Sequence, residues 1–207
     1  MKLAIFGTSG FSREVRDIAA ITGYDEILFL GETGEETVPD GTVVAENVAE
    51  SLAHAGFRFA IGVGNPEIRR KLYNRYPDFD YPNLIHPTAT FGFQQLEEVQ
   101  EHEGNIICAG VRLTNQIRHG SFCVLNLNCM VGHDCVIGDF VTVSPGANVS
   151  GNVKIGEGAY IGANSCIIQG KSVNEKIEIG RGSTVGAGAV VTKSIPADII
   201  VKGVPAR

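Results

Sequence analysis

Two adjacent residues, His133 and Asp134, have the types and spacing to move a proton. An imidazole with an unperturbed pKa of about 6.5 accepts a proton at neutral pH. A carboxylate beside it orients the ring and stabilises its cationic form. Neighbouring residues of an extended strand point to opposite sides, so contact between these two requires a corner in the chain. His54, His86, His102 and His119 stand in no comparable context and read as structural.

A second candidate is the loop Gly7-Thr8-Ser9-Gly10, between an apolar run at Lys2–Phe6 and a helical pattern at Phe11–Ile21. Unpaired N–H groups and the helix dipole at such a junction favour an anion such as a phosphate. The loop lacks the full G-x-G-x-x-G spacing and has no P-loop lysine, so a plain strand-to-helix turn is the alternative.

The elements around this loop alternate. Val15, Ile18, Ala19 and Ala20 lie along one side of the first helix, and a second apolar run, Ile27–Leu30, ends at Gly31-Glu32. A third, Phe59–Val63, ends at Gly64-Asn65-Pro66, and Glu67–Tyr76 reads as a helix with Pro66 near its start. Strand, glycine turn, helix and strand make a parallel α/β unit, whose ligands bind where these glycines fall, at the C-terminal ends of the strands.

The second half has a different period. Counting in sixes from Ile107 to Val191, fourteen of fifteen positions are Ile, Leu or Val, the exception being His119. The following residue is usually small or Asn, and a second row includes Cys123, Cys129, Cys135, Val141, Ala147, Val153, Ala159 and Ser165. A period of six is neither helical nor simple strand alternation. It fits a parallel β-helix of hexapeptide repeats, with an aliphatic interior and small residues at corners, in about five coils over this stretch. The three cysteines on the small row are read as packing. Lys171 falls on that interior row, where an unpaired ammonium is costly, so residues 170–176 are expected to leave the coil as a loop.

Composition narrows the function. The 207 residues are 43% hydrophobic, with no membrane-length apolar run, and MKLAIFGTSGF reads as a buried first strand and not a signal peptide. The five cysteines form no CxxC pair and read as reduced thiols of a cytoplasmic protein. A net charge of −6 argues against nucleic-acid binding. Residues 1–150 carry ten Lys/Arg against nineteen Asp/Glu, and 151–207 carry seven against four. This is either an uneven solvated surface or a basic rim suited to a phosphorylated ligand.

Repeats such as VIGDFV, KIGEGA and YIGANS, closed by GAGAVVTKSIPADIIVKGVPAR, resemble those of the hexapeptide-repeat acyltransferases, which form left-handed parallel β-helices. IFGTSGFSREV, IGVGNPEIRRKLY, NLIHPTA and LNLNCMVGHDCVIGDF narrow the resemblance, over nearly the whole chain, to the nucleotide-sugar N-acetyltransferases of the PglD and NeuD type. The resemblance implies a small Rossmann-like α/β domain over 1–82 that holds a nucleotide-sugar. A left-handed β-helix with a C-terminal tail follows over 83–207, assembled as a homotrimer with acetyl-CoA between coils. It implies acetyl transfer to the amino group of a UDP-, GDP- or dTDP-linked 4-amino-4,6-dideoxy sugar in surface-glycan synthesis.

Matched motif to motif, catalysis falls on His133, Asp134 and Asn126, and nucleotide-sugar contacts on Ser9, Gly10, Phe11, Gly31, Glu32 and Gly64. The family usually has an acid where Gly31 stands, which shifts that contact to Glu32. Acetyl-CoA contacts fall on Gly151, Ala163 and Ala187, and on Thr142 where some relatives have histidine. A backbone N–H near Gly151 is a candidate oxyanion donor. No metal is expected. O-acetylation of a sugar such as sialic acid, a carbonic anhydrase-like metal site and a non-enzymatic scaffold are the competing readings. The metal site needs three converging histidines, and the repeats hold only His119 and His133.

Overall fold

A computed structural model describes residues 1–207. The N-terminal part is a four-stranded parallel sheet built from β1 (Lys2–Phe6), β2 (Glu26–Gly31), β3 (Thr42–Ala45) and β4 (Arg58–Ile61), in the order β3-β2-β1-β4. Helix α1 (Gly10–Ile21) packs Val15, Ile18 and Ala19 inward. Helices α2 (Ala49–His54) and α3 (Pro66–Arg75) complete the unit. Asn65 caps α3, its Oδ1 accepting from the N–H groups of Glu67 at 2.9 Å and Ile68 at 3.1 Å, and Pro66 fits the first turn because no N–H is needed there. The sequence reading finds β1, β2, β4, α1 and α3 to within a residue or two but misses β3 and α2, whose short runs carry no clear period.

From Leu84 onward the chain winds as a left-handed parallel β-helix with three faces. The first face stacks Leu84–Ile85, Ile106–Ile107, Val124–Leu125, Thr142–Val143, Tyr160–Ile161, Thr184–Val185 and Ile200–Val201. The second stacks Thr90–Phe91, Arg112–Leu113, Met130–Val131, Asn148–Val149, Cys166–Ile167 and Val190–Val191. The third holds Val136–Ile137, Val153–Ile155 and Ile177–Ile179. The aliphatic row fills the interior, and Cys123, Cys129 and Cys135 are fully buried with it as free thiols, pushed by burial up to about 12, 12 and 11.

The corners repeat as strictly as the faces. Asn128, Gly146, Asn164 and Gly188 turn with positive φ at the first corner, Gln94, Gln116, Asp134 and Asn152 at the second, and Phe122, Phe140, Gly158 and Gly182 at the third. Three coils depart from eighteen residues, the last of them, from Val185 to Val201, by being short at 16. The register sets Ile155 opposite Ile179, a coil of 24 residues, and the six extra residues form the expected loop near 170–176, where Lys171 is exposed and paired with Glu175 at 2.5 Å. Val173 is therefore not interior as the count in sixes placed it. It is 56% exposed, because an insertion of six residues preserves the phase of the count while leaving the coil. The first coil runs 22 residues from Phe91 to Leu113, and its extra length carries α4 (Gln95–Gln100), which the sequence reading also misses.

The seam between the two parts is aromatic and locked by one arginine. Tyr73 of α3 lies 4.5 Å from Phe122, which stacks on Phe140 at 5.2 Å. Arg69 is 1% exposed and places all five N–H donors on carbonyls: Nε on Phe122, Nη1 on Val63 and Gly64, and Nη2 on Phe140 and Val141, at 2.7–3.1 Å. Burial lowers its pKa to about 10, so it stays charged at neutral pH. Arg69 thus ties the end of β4 to the third corner of two successive coils.

Candidate active site

His133 and Asp134 sit at the second corner. Val131 points inward, Gly132 begins the turn, and Asp134 takes a left-handed φ of 59°. That turn lets consecutive side chains project to the same side. His133 Nδ1 lies 2.7 Å from Asp134 Oδ2, and the two side chains are 44% and 29% exposed. A carboxylate only accepts, so Nδ1 carries the proton and Nε2 is left with its lone pair. Lys176, from the inserted loop, donates to the Asp134 carbonyl and braces the turn.

Nε2 lies across Gly151 on the next coil. A Cβ at position 151 would stand 2.5 Å from Nε2, so only glycine leaves room for the ring. The Gly151 N–H makes no hydrogen bond within the chain, as the residue follows the last paired position of its strand.

The other expected residues occupy different places. Asn126 is at the first corner, its Oδ1 accepting from Leu127 N–H at 2.7 Å, and so is not beside His133 within one chain. Ala163 and Ala187 stack at that same first corner on successive coils, joined by Gly188 N–H to Ala163 O at 2.8 Å. Thr142 does not present an open side chain. It is 2% exposed, and its hydroxyl donates to Gly64 O at 2.8 Å, so it is used in the seam and is unavailable to a cofactor.

The sheet order brings the remaining loops to one edge. Ser9 is the N-cap of α1 without a side-chain cap bond, no acid lies in the first turn, and Ser9 and Gly10 are exposed with Phe11 half-buried. The N–H groups at this helix start are free for an anion. Gly62, not singled out in the sequence, is the glycine that packing demands: a Cβ there would stand 2.9 Å from Ser12 Cα. At Gly64 a Cβ would meet nothing within 4 Å, and the residue serves through its carbonyl, which Arg69 and Thr142 hold.

Gly31 is buried under the carboxylate of Glu36, which a Cβ at 31 would strike. Gly34 N–H at 2.9 Å and Thr33 N–H and hydroxyl at 3.2 Å hold that carboxylate, and backbone donors lower its pKa. Glu36 thus carries a carboxylate to the end of β2, while Glu32 points to solvent. Nothing in the sequence marks it, because the return of residues 32–36 over the strand end is a loop geometry. A polar cleft of about 530 Å³ opens beside Gly64, between the start of α3 and the third corner. The pairs Arg70–Glu157 at 2.9 Å and Arg181–Asp198 at 3.4 Å line it.

His119 and His133 do not converge. His119 is 4% exposed inside the coil with Nδ1 on Gly120 O at 2.7 Å, whereas His133 is outside. No three His, Cys, Asp or Glu side chains come together as a metal-holding group.

Comparison with known proteins bears on the same two parts. A family model of the PglD N-terminal domain matches residues 2–76, and one of the bacterial transferase hexapeptide, six repeats, matches residues 134–169. A GDP-perosamine N-acetyltransferase of Escherichia coli O157:H7 is 47% identical over 165 residues, 74% of this chain and 72% of that protein. Among solved structures, the acetyltransferase domain of PglB from Neisseria gonorrhoeae FA1090, in complex with acetyl coenzyme A, has a TM-score of 0.87 at 32% identity, covering 100% of this chain and 98% of its own. A mutant perosamine N-acetyltransferase from Caulobacter crescentus, in complex with CoA and GDP-perosamine, has a TM-score of 0.89 at 26% identity, covering 100% and 96%. With its α/β part matching the PglD N-terminal domain, its coils matching the transferase hexapeptide, and relatives similar along the whole chain, this protein belongs to the PglD-type family of hexapeptide-repeat nucleotide-sugar N-acetyltransferases.

Proposed function

We propose that the protein moves the acetyl group of acetyl-CoA to the amino group of a nucleotide-linked 4-amino-4,6-dideoxy sugar, with GDP-perosamine the first acceptor to test. The observation that carries this reading is the His133 imidazole, held at Nδ1 by Asp134 with Nε2 over Gly151. The acceptor amine attacks the thioester carbonyl, forming the C–N bond and an oxyanion toward which the unpaired Gly151 N–H is available. Nε2 takes the proton from the amine nitrogen. The C–S bond then breaks, and the CoA sulfur leaves with that proton, giving the N-acetylated sugar and free CoA. Asp134 stabilises the imidazolium between these steps.

Residues 1–82 serve in this reading as the nucleotide-sugar domain, through Ser9, Gly10, Phe11, Glu32, Gly64 and the Glu36 carboxylate above Gly31, and residues 83–207 as the acetyl-transfer domain. The working form is a homotrimer. The α/β part seats against the third corner, His133 and Gly151 stand at the second, and Asn126, Ala163 and Ala187 at the first, so one chain alone does not join acceptor, base and cofactor. The setting is cytoplasmic synthesis of a surface polysaccharide. No helix is long and apolar enough to cross a membrane.

The test is CoA release from acetyl-CoA with a panel of GDP-, UDP- and dTDP-linked 4-amino sugars, each beside its 4-hydroxy analogue. Turnover with one amino sugar and none with its hydroxyl analogue is the expected result. Turnover with the hydroxyl compounds alone, or with neither, overturns the reading. Sedimentation at the mass of one chain under assay conditions overturns the shared site.

A further inference from the structure

We propose that Asn115 and Phe93 form the sugar-recognition side of the site, Asn115 bonding a ring hydroxyl and Phe93 stacking on the apolar face of the acceptor's pyranose ring. This rests on the acetyl-transfer reading of His133. The second face is in register at Phe91, Leu113, Val131 and Val149. Two residues beyond each stand Phe93, Asn115, His133 and Gly151. Each is followed by a left-handed residue: Gln94 at 57°, Gln116 at 54°, Asp134 at 59° and Asn152 at 58°. The same corner is thus built four times, and these residues form one column parallel to the helix axis. Backbone bonds hold adjacent rungs, Asp134 N–H to Asn115 O at 3.1 Å and Asn152 N–H to His133 O at 2.9 Å.

The two ends of the column differ. On the Gly151 side there is no side chain, and the imidazole lies over the gap. On the other side Asn115 is exposed, and Phe93, at 77%, is the most exposed large apolar side chain of the protein. Its backbone is held in place. Gly92 N–H donates to Leu113 O at 2.9 Å, and the next residues are fastened to the coil below by Gln95 Oε1, which accepts from Ile117 N–H at 2.9 Å, and Glu98 Oε1, from His119 N–H at 3.1 Å. Two strand spacings separate the Phe93 and His133 rungs, about 10 Å. The imidazole leans over Gly151, one spacing further on, so an acceptor with its amine at Nε2 lays its pyranose back along the column past His133 and over Asn115, toward the exposed phenyl ring that extends from the Phe93 rung. A carboxamide that both donates and accepts suits the hydroxyl edge of a sugar, and an aromatic face suits its C–H face.

Asn115→Ala and Phe93→Ala in the full-length protein should each raise the KM for the nucleotide-sugar roughly three- to tenfold. The KM for acetyl-CoA should stay unchanged, and Phe93→Tyr should restore the acceptor KM. Equal rises in both KM values, or no rise in the acceptor KM of either variant, overturn the proposal. So does loss of the wild-type assembly by Phe93→Ala in sedimentation, which would make Phe93 a subunit contact. Absence of wild-type turnover on every amino sugar removes the acetyl-transfer reading itself; wild-type turnover with unshifted acceptor KM values in both variants removes only this one.

Discussion

Gly151→Ala probes the geometry of the proposed base, His133, without replacing it. The added Cβ would stand 2.5, 2.6 and 2.8 Å from Nε2, Cε1 and Cδ2 of His133. Ordinary contact between such atoms is about 3.5–4.0 Å, so the ring must move by about 1 Å. That movement strains the 2.7 Å bond to Asp134, whose turn is held at its carbonyl by Lys176, and carries Nε2 from its place over Gly151. A displacement of that size at a reacting group costs about 10²-fold, or about 2.7 kcal/mol in the barrier. Gly151 is not among the glycines with positive φ, so alanine adds no backbone strain and the melting temperature should stay near that of the wild type. The assay is thiol release from acetyl-CoA at saturating nucleotide-sugar, with Gly151→Ala, His133→Ala and the double variant side by side. If the clash acts through the imidazole, the second substitution adds almost nothing once His133 is gone. Wild-type turnover in Gly151→Ala, or a further 10²-fold loss in the double variant, refutes the reasoning. A rise in the acetyl-CoA KM alone would place the clash with the cofactor.

His133→Ala should lower kcat roughly 10²–10⁴-fold with KM values little changed, and Asp134→Asn should cost less, because the base survives its orienting partner. Ser9→Tyr or Gly10→Val should weaken the nucleotide-sugar and spare acetyl-CoA, as read by separate binding titrations. Arg69→Met leaves the Val63, Phe122 and Phe140 carbonyls without a partner, while Gly64 O keeps Thr142 and Val141 O keeps the Val124 N–H, and should cost about 3–5 kcal/mol in urea unfolding, with the acceptor KM rising as Gly64 loosens. Burial pushes the His119 pKa down to about 4, so the unfolded chain binds the extra proton between about pH 6.5 and 4. Its effect is absent above pH 6.5 and grows as pH falls, to at most about 3 kcal/mol of lost stability near pH 4. His119→Leu, which completes the aliphatic row and removes the unpartnered buried Nε2, should flatten that part of the profile in unfolding measured from pH 7 to 4.

The β-helix and the contact between His133 and Asp134 were legible because their signals are local. Each interior position recurs every six residues, and a His-Asp pair after Val131-Gly132 must meet at a corner, since a strand would drive the side chains apart. The α/β part was legible where apolar runs end in glycine, at Phe6, Leu30 and Val63. Tertiary structure decided the rest, for reasons the periods do not contain. Thr142 has the spacing of an outward residue, yet the α/β part covers it, because Arg69 and the Tyr73–Phe122–Phe140 layer draw α3 onto that corner. Glu36 reaches Gly31 only because its loop folds back over the strand end. Val173 keeps the phase of the repeat while outside it, since six inserted residues leave a count in sixes unchanged. Phe93 shares a column with His133 only through strand pairing across a 22-residue coil, a relation that no fixed period along the chain can express.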